Sequence, residues 1–193
     1  MRARLAASGL AMLVALALPG CGSDEPSSAG ADPTAAASPT APPGLETTAP
    51  AMPADQSDSA ESSVEYGNYF VRLVQHAVRT RSIRPVVAEV FDQARCSTCR
   101  QLGTYIDQLV SGGYWEIGED LRVGTLVAKP MDGGMRVKGP FTYPASKYVT
   151  VDGKQKSTVT AERYRFSADL SWDESGDRWQ VLDYDFLRKG DRG

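Results

Sequence analysis

Leu102-Gly103-Thr104-Tyr105-Ile106-Asp107-Gln108-Leu109-Val110-Ser111-Gly112-Gly113 and, shortly after it, Leu121-Arg122-Val123-Gly124-Thr125-Leu126-Val127-Ala128-Lys129-Pro130 mark the point where the chain changes rhythm. In the first run Leu102, Tyr105, Ile106 and Leu109 recur at three and four, the period of one helix face. Gly112-Gly113 stops it, because glycine takes the left-handed conformation that a helix terminus favours. In the second run Leu121, Val123, Thr125 and Val127 alternate with Arg122, Gly124, Leu126 and Ala128, the period of a strand running to Lys129-Pro130.

Upstream of this switch the three-and-four rhythm persists. Val64, Tyr69, Phe70, Leu73, Val74, Ala77 and Val78 predict an amphipathic helix over 64–80. Ser82-Ile83-Arg84-Pro85 interrupts it, Pro85 opens a short helix to Phe91, and a third helix starts at Cys96 or Ser97. Downstream, Asp132-Gly133-Gly134 is a turn and Met135 to Tyr143 a strand. Lys147 to Val151 pairs through Asp152-Gly153 with Thr158 onward. Strands follow at Phe166–Trp172 and Trp179–Leu187, with Leu182, Tyr184 and Phe186 on one face and Asp183 and Asp185 on the other. Helices first and an antiparallel meander after them predict an α+β domain over residues 63–193, with the helices on one face of a curved sheet.

The 193 residues carry a net charge of −3, spread unevenly. Residues 1–20 hold Arg2 and Arg4 ahead of an apolar run from Leu10 to Leu18, the pattern of a secretory signal. About nine apolar residues at ~1.5 Å each cannot cross ~30 Å of hydrocarbon. Residues 21–62 are rich in Ala, Pro, Ser and Thr and hold seven acids without a Lys or Arg. With Leu45 and Met52 as the only apolar bulk there, a disordered, extended tether is expected. The remaining 63–193 then carry about +2 by residue count. That is too little positive charge for a nucleic-acid binder.

Leu18-Pro19-Gly20-Cys21 resembles a bacterial lipobox, which implies a diacylglyceryl group on Cys21 and anchoring to the outer face of the cell membrane. Two acyl chains suffice for stable anchoring where one is marginal.

The order of three helices and a curved antiparallel sheet resembles the nuclear transport factor 2-like cone fold shared with ketosteroid isomerase and scytalone dehydratase. Residues 64–187 also resemble a family of uncharacterised actinobacterial lipoproteins. That resemblance rests on the lipobox cysteine, the Pro/Thr tether, Tyr69-Phe70-Val71-Arg72 and Cys96-Ser97-Thr98-Cys99. It continues through Gly112-Gly113, Asp152-Gly153 and the Leu170-Ser171-Trp172 and Trp179-Gln180-Val181 pair. It implies architecture and location, and no chemistry.

Several residues are candidates for function. Cys96 and Cys99 read as a structural disulfide pinning the third helix, or alternatively as a thiol–disulfide redox pair, since a cysteine at a helix N-terminus has a lowered pKa. No second Cys or His pair completes four metal ligands, so no metal or other cofactor is expected. His76, the single histidine, reads as a surface or boundary residue. Arg72, Arg79, Arg81 and Arg84 are candidates for contacting an anionic cell-wall or protein partner. The leading expectation is a non-enzymatic binding or interaction module in the cell envelope. The enzymatic alternative is a ketosteroid-isomerase-like reaction on a small apolar substrate in the cone, with Asp107, Tyr105, Tyr143 and Tyr164 as conceivable cavity residues.

Overall fold

The computed structural model describes residues 41–42, 45, 48–54 and 56–188. Cys21, the signal expected over 1–20 and most of the tether expected over 21–62 lie outside them. Among the described residues no helix is long and apolar enough to cross a membrane.

The chain is α+β. Helices α1 (Ala60–Thr80), α2 (Arg84–Ala88) and α3 (Ser97–Ser111) precede eight strands. These are β1 (Tyr114–Gly118), β2 (Arg122–Val123), β3 (Val127–Met131), β4 (Gly134–Tyr143), β5 (Ser146–Thr150), β6 (Gln155–Val159), β7 (Glu162–Asp173) and β8 (Arg178–Arg188). All strand pairs in the two sheets are antiparallel. One sheet has the order β1-β5-β6. The other runs β2-β4-β7-β8, with β3 also on β4, and the sheets do not close.

Helix α1 begins four residues before the expected Val64. Ser59 caps it by accepting from the Ser62 N–H at 3.1 Å, satisfying one of the orphan donors of the first turn. Residues 56–62, read from composition as the end of the tether, therefore contribute to the fold. The indole N–H of Trp179 donates to the Ser57 carbonyl at 3.1 Å and to Ser62 Oγ at 3.2 Å. The helix lays Tyr66, Phe70, Leu73 and Ala77 against the sheet. It lies close to the sheet at Gly67, where an added Cβ would lie 2.8 Å from Val137 Cγ1.

Two irregularities shift the expected strand faces. The single strand predicted over 121–129 is broken into β2 and β3, which pair along the same edge of β4. Leu121 and Leu126 are both buried while Val127 is exposed, so the alternation slips by one between them. The cause lies at Gly139, where a Cβ would sit 2.5 Å from the Thr125 carbonyl oxygen. There Thr125 and Leu126 press against β4, and Gly124 N–H bonds the Pro140 carbonyl instead of a regular ladder partner. In β8 the register against β7 jumps from Asp169↔Asp183 to Leu170↔Val181, leaving Leu182 as the extra residue of a β-bulge. Trp179, Val181 and Tyr184 are therefore the buried residues, and Leu182 does not share their face as expected.

The inner sheet face carries Val137, Phe141, Phe166, Ala168, Leu170, Trp179, Val181 and Tyr184, all buried under the helices. Apart from Ala168, the aliphatic and phenylalanine side chains among them stabilise by about 1.5–3 kcal/mol each when fully buried. The opposite face of β4 and β7 reads Arg136, Lys138, Pro140, Thr142 and Arg163, Arg165, Ser167, Asp169, in cross-strand register. That alternation places the core on one side and a charged surface on the other.

Candidate functional site

Cys96 and Cys99 are disulfide-bonded at the start of α3, with Cα atoms 5.2 Å apart. Cys96 is also the helix N-cap, its Sγ accepting from Cys99 N–H at 3.1 Å. Both are buried, at 1% and 6% exposure.

The four arginines of the first two helices do not form one face. Arg79 donates to Asp120 Oδ1 at 2.6 Å and to the carbonyls of Gly118 and Glu119 at 2.7 and 2.8 Å, fastening α1 to the β1–β2 loop. Arg81 ends α1 in the left-handed region (φ 54°) and lies with its guanidinium 3.6 Å from the centroid of the Trp115 ring. Partial burial lowers its pKa, and the half-buried guanidinium is compensated by the aromatic face it stacks on. Arg72 and Arg84 are exposed. Two of the four expected partner contacts are thus engaged inside the chain.

His76 and Arg72 line a groove of about 360 Å³ between α1 and residues 48–51, together with Gln75, Arg79 and Asp120. Burial and then the neighbouring Arg79 charge push the His76 pKa down, so the imidazole is neutral at pH 7.

Of the conceivable cavity residues, Asp107 is exposed on α3. Tyr105 and Tyr143 instead converge on a carboxylate that the sequence reading did not single out. Glu116 on β1 is 3% exposed. Its Oε1 accepts from Ser146 Oγ at 2.6 Å and its Oε2 from Tyr105 O–H at 2.8 Å, while the Tyr105 and Tyr148 hydroxyls are 2.6 Å apart. Burial, then the Glu116 charge, raises the pKa of Tyr105 and raises that of Tyr143 well above its ordinary value. These phenols stay protonated, and Tyr105 serves as a donor to Glu116. Tyr164 lies elsewhere, donating to Glu162 at 2.6 Å, and is pushed up to about 12 by burial and by that carboxylate. The available signal for Glu116 was a lone acid inside the apolar run Tyr114-Trp115-Glu116-Ile117.

A second buried carboxylate, Glu89, accepts from Tyr66 O–H at 2.7 Å and from Tyr69 O–H at 3.3 Å. Its backbone carbonyl accepts from Val181 N–H, and the Phe91 N–H donates back to the Val181 carbonyl, each at 2.9 Å. Glu89 therefore joins the exit of α2 to the bulged strand β8. Among the described residues no cluster of His, Cys, Asp and Glu has the makings of a metal site.

A concavity of about 1090 Å³ lies on the outer face of the five-stranded sheet. Arg122, Lys138, Arg163 and Arg165 line it with Val127, Pro140 and Leu187. Arg136, at one side, is held by both oxygens of Asp169 at 2.6 and 2.7 Å.

No protein-family model and no curated protein sequence matches the chain. Among solved structures, the chain is similar to the intermembrane space region of the chloroplast protein ARC6, at 12% identity and a TM-score of 0.44, covering 67% of this chain and 97% of that one. It is also similar to a protein of Xanthomonas campestris described as a calcium/calmodulin dependent protein kinase II association domain, at 11% identity and 0.40, covering 74% and 94%. A third similar structure is Aln2 from a Streptomyces species, at 8% identity and 0.40, covering 63% and 87%.

Proposed function

We propose that this protein is an extracytoplasmic lipoprotein, held to the outer face of the membrane through Cys21, whose α+β domain is an open nuclear transport factor 2-like cone acting as a non-enzymatic binding module. The observation that carries the reading is the filled interior. Tyr66, Phe70, Val137, Phe166, Leu170, Trp179 and Val181 have no exposure, and both buried carboxylates already take hydroxyl donors. An enzyme of the cone type needs an ionisable group at the bottom of an open pocket. Binding then falls to the outside of the domain. The burial of Cys96 and Cys99 likewise favours a structural bond over an exchange centre, since exchange requires access to a sulfur.

The anchor is tested by fractionating cells that express the full chain. The wild type should sediment with membranes and be released by detergent, and Cys21→Ala should be soluble. Membrane retention of Cys21→Ala overturns the anchor.

The gathering of Tyr105, Tyr148 and Ser146 around Glu116 favours a second reading, in which that carboxylate serves an enzymatic reaction on a small apolar molecule. It requires the Tyr105 side of the network to open, so a small molecule should perturb the Tyr105 and Tyr148 ring signals in an NMR titration.

A further inference from the structure

The outer face of β2, β4 and β7 concentrates charge in a way the helices do not. Cross-strand register puts Arg122 opposite Thr142 and Thr142 opposite Arg163. The next rows hold Pro140 opposite Arg165 opposite Leu187, then Val127 opposite Lys138 opposite Ser167. Arg122, Arg163 and Arg165 are exposed and Lys138 is half-exposed. Among the described residues Lys138, Arg163 and Arg165 have no carboxylate partner, and Arg122 has only the exposed Glu119 at 2.9 Å. The acids on this face sit beyond them. Asp169 is occupied by Arg136, and Asp183 and Asp185 lie along the β8 side.

We propose that this groove binds an extended polyanion of the cell envelope, a polymer bearing phosphate or carboxylate groups, laid across β4 and β7 with its charges on Arg163, Arg165, Lys138 and Arg122. The inference rests on the binding-module reading and names its surface and ligand class. Same-face residues on one strand are spaced about 6.8 Å apart and adjacent strands about 4.8 Å, so the four cations form a lattice that a repeating anion can meet at several points. Three of the four are arginines, whose planar guanidinium forks match phosphate and carboxylate oxygens. Pro140, Leu187 and the Val127 side chain give the groove an apolar floor against which a polymer backbone can lie. The concave shape favours a chain over a planar bilayer, whose headgroups meet the rim before the floor. The acids along β8 repel the polymer on that side and fix its path.

The test uses the full chain with Cys21→Ala, so that it stays soluble, and measures binding of polyphosphate and of polyglutamate as a function of salt. Removing two ion contacts lowers the slope of log K against log salt by about 1.4–1.8, taking the per-contact values known for nucleic acids. Arg163→Ala/Arg165→Ala should show that drop and at least tenfold weaker binding of one or both polymers, with an unchanged circular dichroism spectrum. Arg72→Ala/Arg84→Ala should bind like the parent. Equal binding by the sheet variant overturns the surface while leaving a binding module on another face. Absence of polymer binding by the parent, or a preference for phosphatidylglycerol vesicles over both polymers, overturns the ligand class. Failure of the binding-module reading itself would appear separately, as a small molecule held in the interior. A dimer seen by sedimentation that the sheet variant dissociates would assign the face to a second copy, and also overturns the proposal.

Discussion

Trp179 donates its indole N–H to the carbonyl of Ser57, a residue 122 positions earlier in the chain, and shares that proton with Ser62 Oγ. The hydrogen bond closes the core within residues 56–62, which composition alone assigned to a tether. Trp179 has no exposure, stands edge-to-face with Trp172 at 5.3 Å, and donates its backbone N–H to Gln56 Oε1 at 3.1 Å. Ser62 Oγ also accepts the Ser57 N–H at 3.1 Å, so one hydroxyl serves two donors.

Ser62→Ala should therefore cost about 0.5–1.5 kcal/mol, the net worth of the hydrogen bonds lost while the indole N–H keeps the Ser57 carbonyl. Chemical denaturation followed by tryptophan fluorescence checks it. An unchanged midpoint would mean the linker end does not belong to the folded unit.

Replacing both Cys96 and Cys99 with Ala should cost about 2 kcal/mol, the chain-entropy figure for a loop of this size. In the folded wild type, glutathione at neutral pH should leave the bond intact, because both cysteines are buried. Ready reduction without denaturant, measured by mass after alkylation, would instead favour the redox alternative.

The tyrosines set an alkaline limit. Burial and carboxylate neighbours raise Tyr66, Tyr69, Tyr105 and Tyr143 above the ordinary value of 10.0, and Tyr164 to about 12. The folded state holds phenolic protons that the unfolded chain releases near pH 10. Their contribution to stability is complete below pH 10 and is lost as the pH climbs through the folded values. Tyrosinate absorbance should rise mainly in step with unfolding. A simple titration centred on pH 10, with the fold intact, would contradict the buried networks.

Gly67→Ala should destabilise despite the gain of about 1 kcal/mol in helix propensity. Its Cβ would meet Val137 Cγ1 at 2.8 Å, and overpacking of a tight core costs about 1–3 kcal/mol. Trimming the obstacle separates the two effects. In a Val137→Ala background, Gly67→Ala should become neutral or stabilising, read as the change in denaturation midpoint. Additive losses would mean that α1 is not seated on β4 at Gly67.

The α+β arrangement was legible because its signals are local. The three-and-four spacing of Phe70, Leu73 and Ala77, and the glycine at 113 with φ 65°, each follow from a few neighbouring residues. What escaped was set by distant partners. The break between β2 and β3 depends on how closely Gly139 lets Thr125 approach, and the Leu182 bulge on the register of β7. Arg72, Arg79, Arg81 and Arg84 read together as partner contacts because they are close in sequence. Arg79 is spent on Asp120, 41 residues away, and Arg81 on Trp115. The sheet cations stayed hidden for the opposite reason. Arg122, Lys138, Arg163 and Arg165 are scattered in sequence and become neighbours only through strand pairing.

The most direct measurement is the mass of the purified Cys21→Ala chain under native and then denaturing conditions. A filled interior predicts the same protein mass in both, about two mass units below the fully reduced sequence because Cys96 and Cys99 are joined. An excess native mass lost on denaturation would contradict it. That result would mean that the interior of the domain holds a small molecule and that the enzymatic reading around Glu116 describes the protein better.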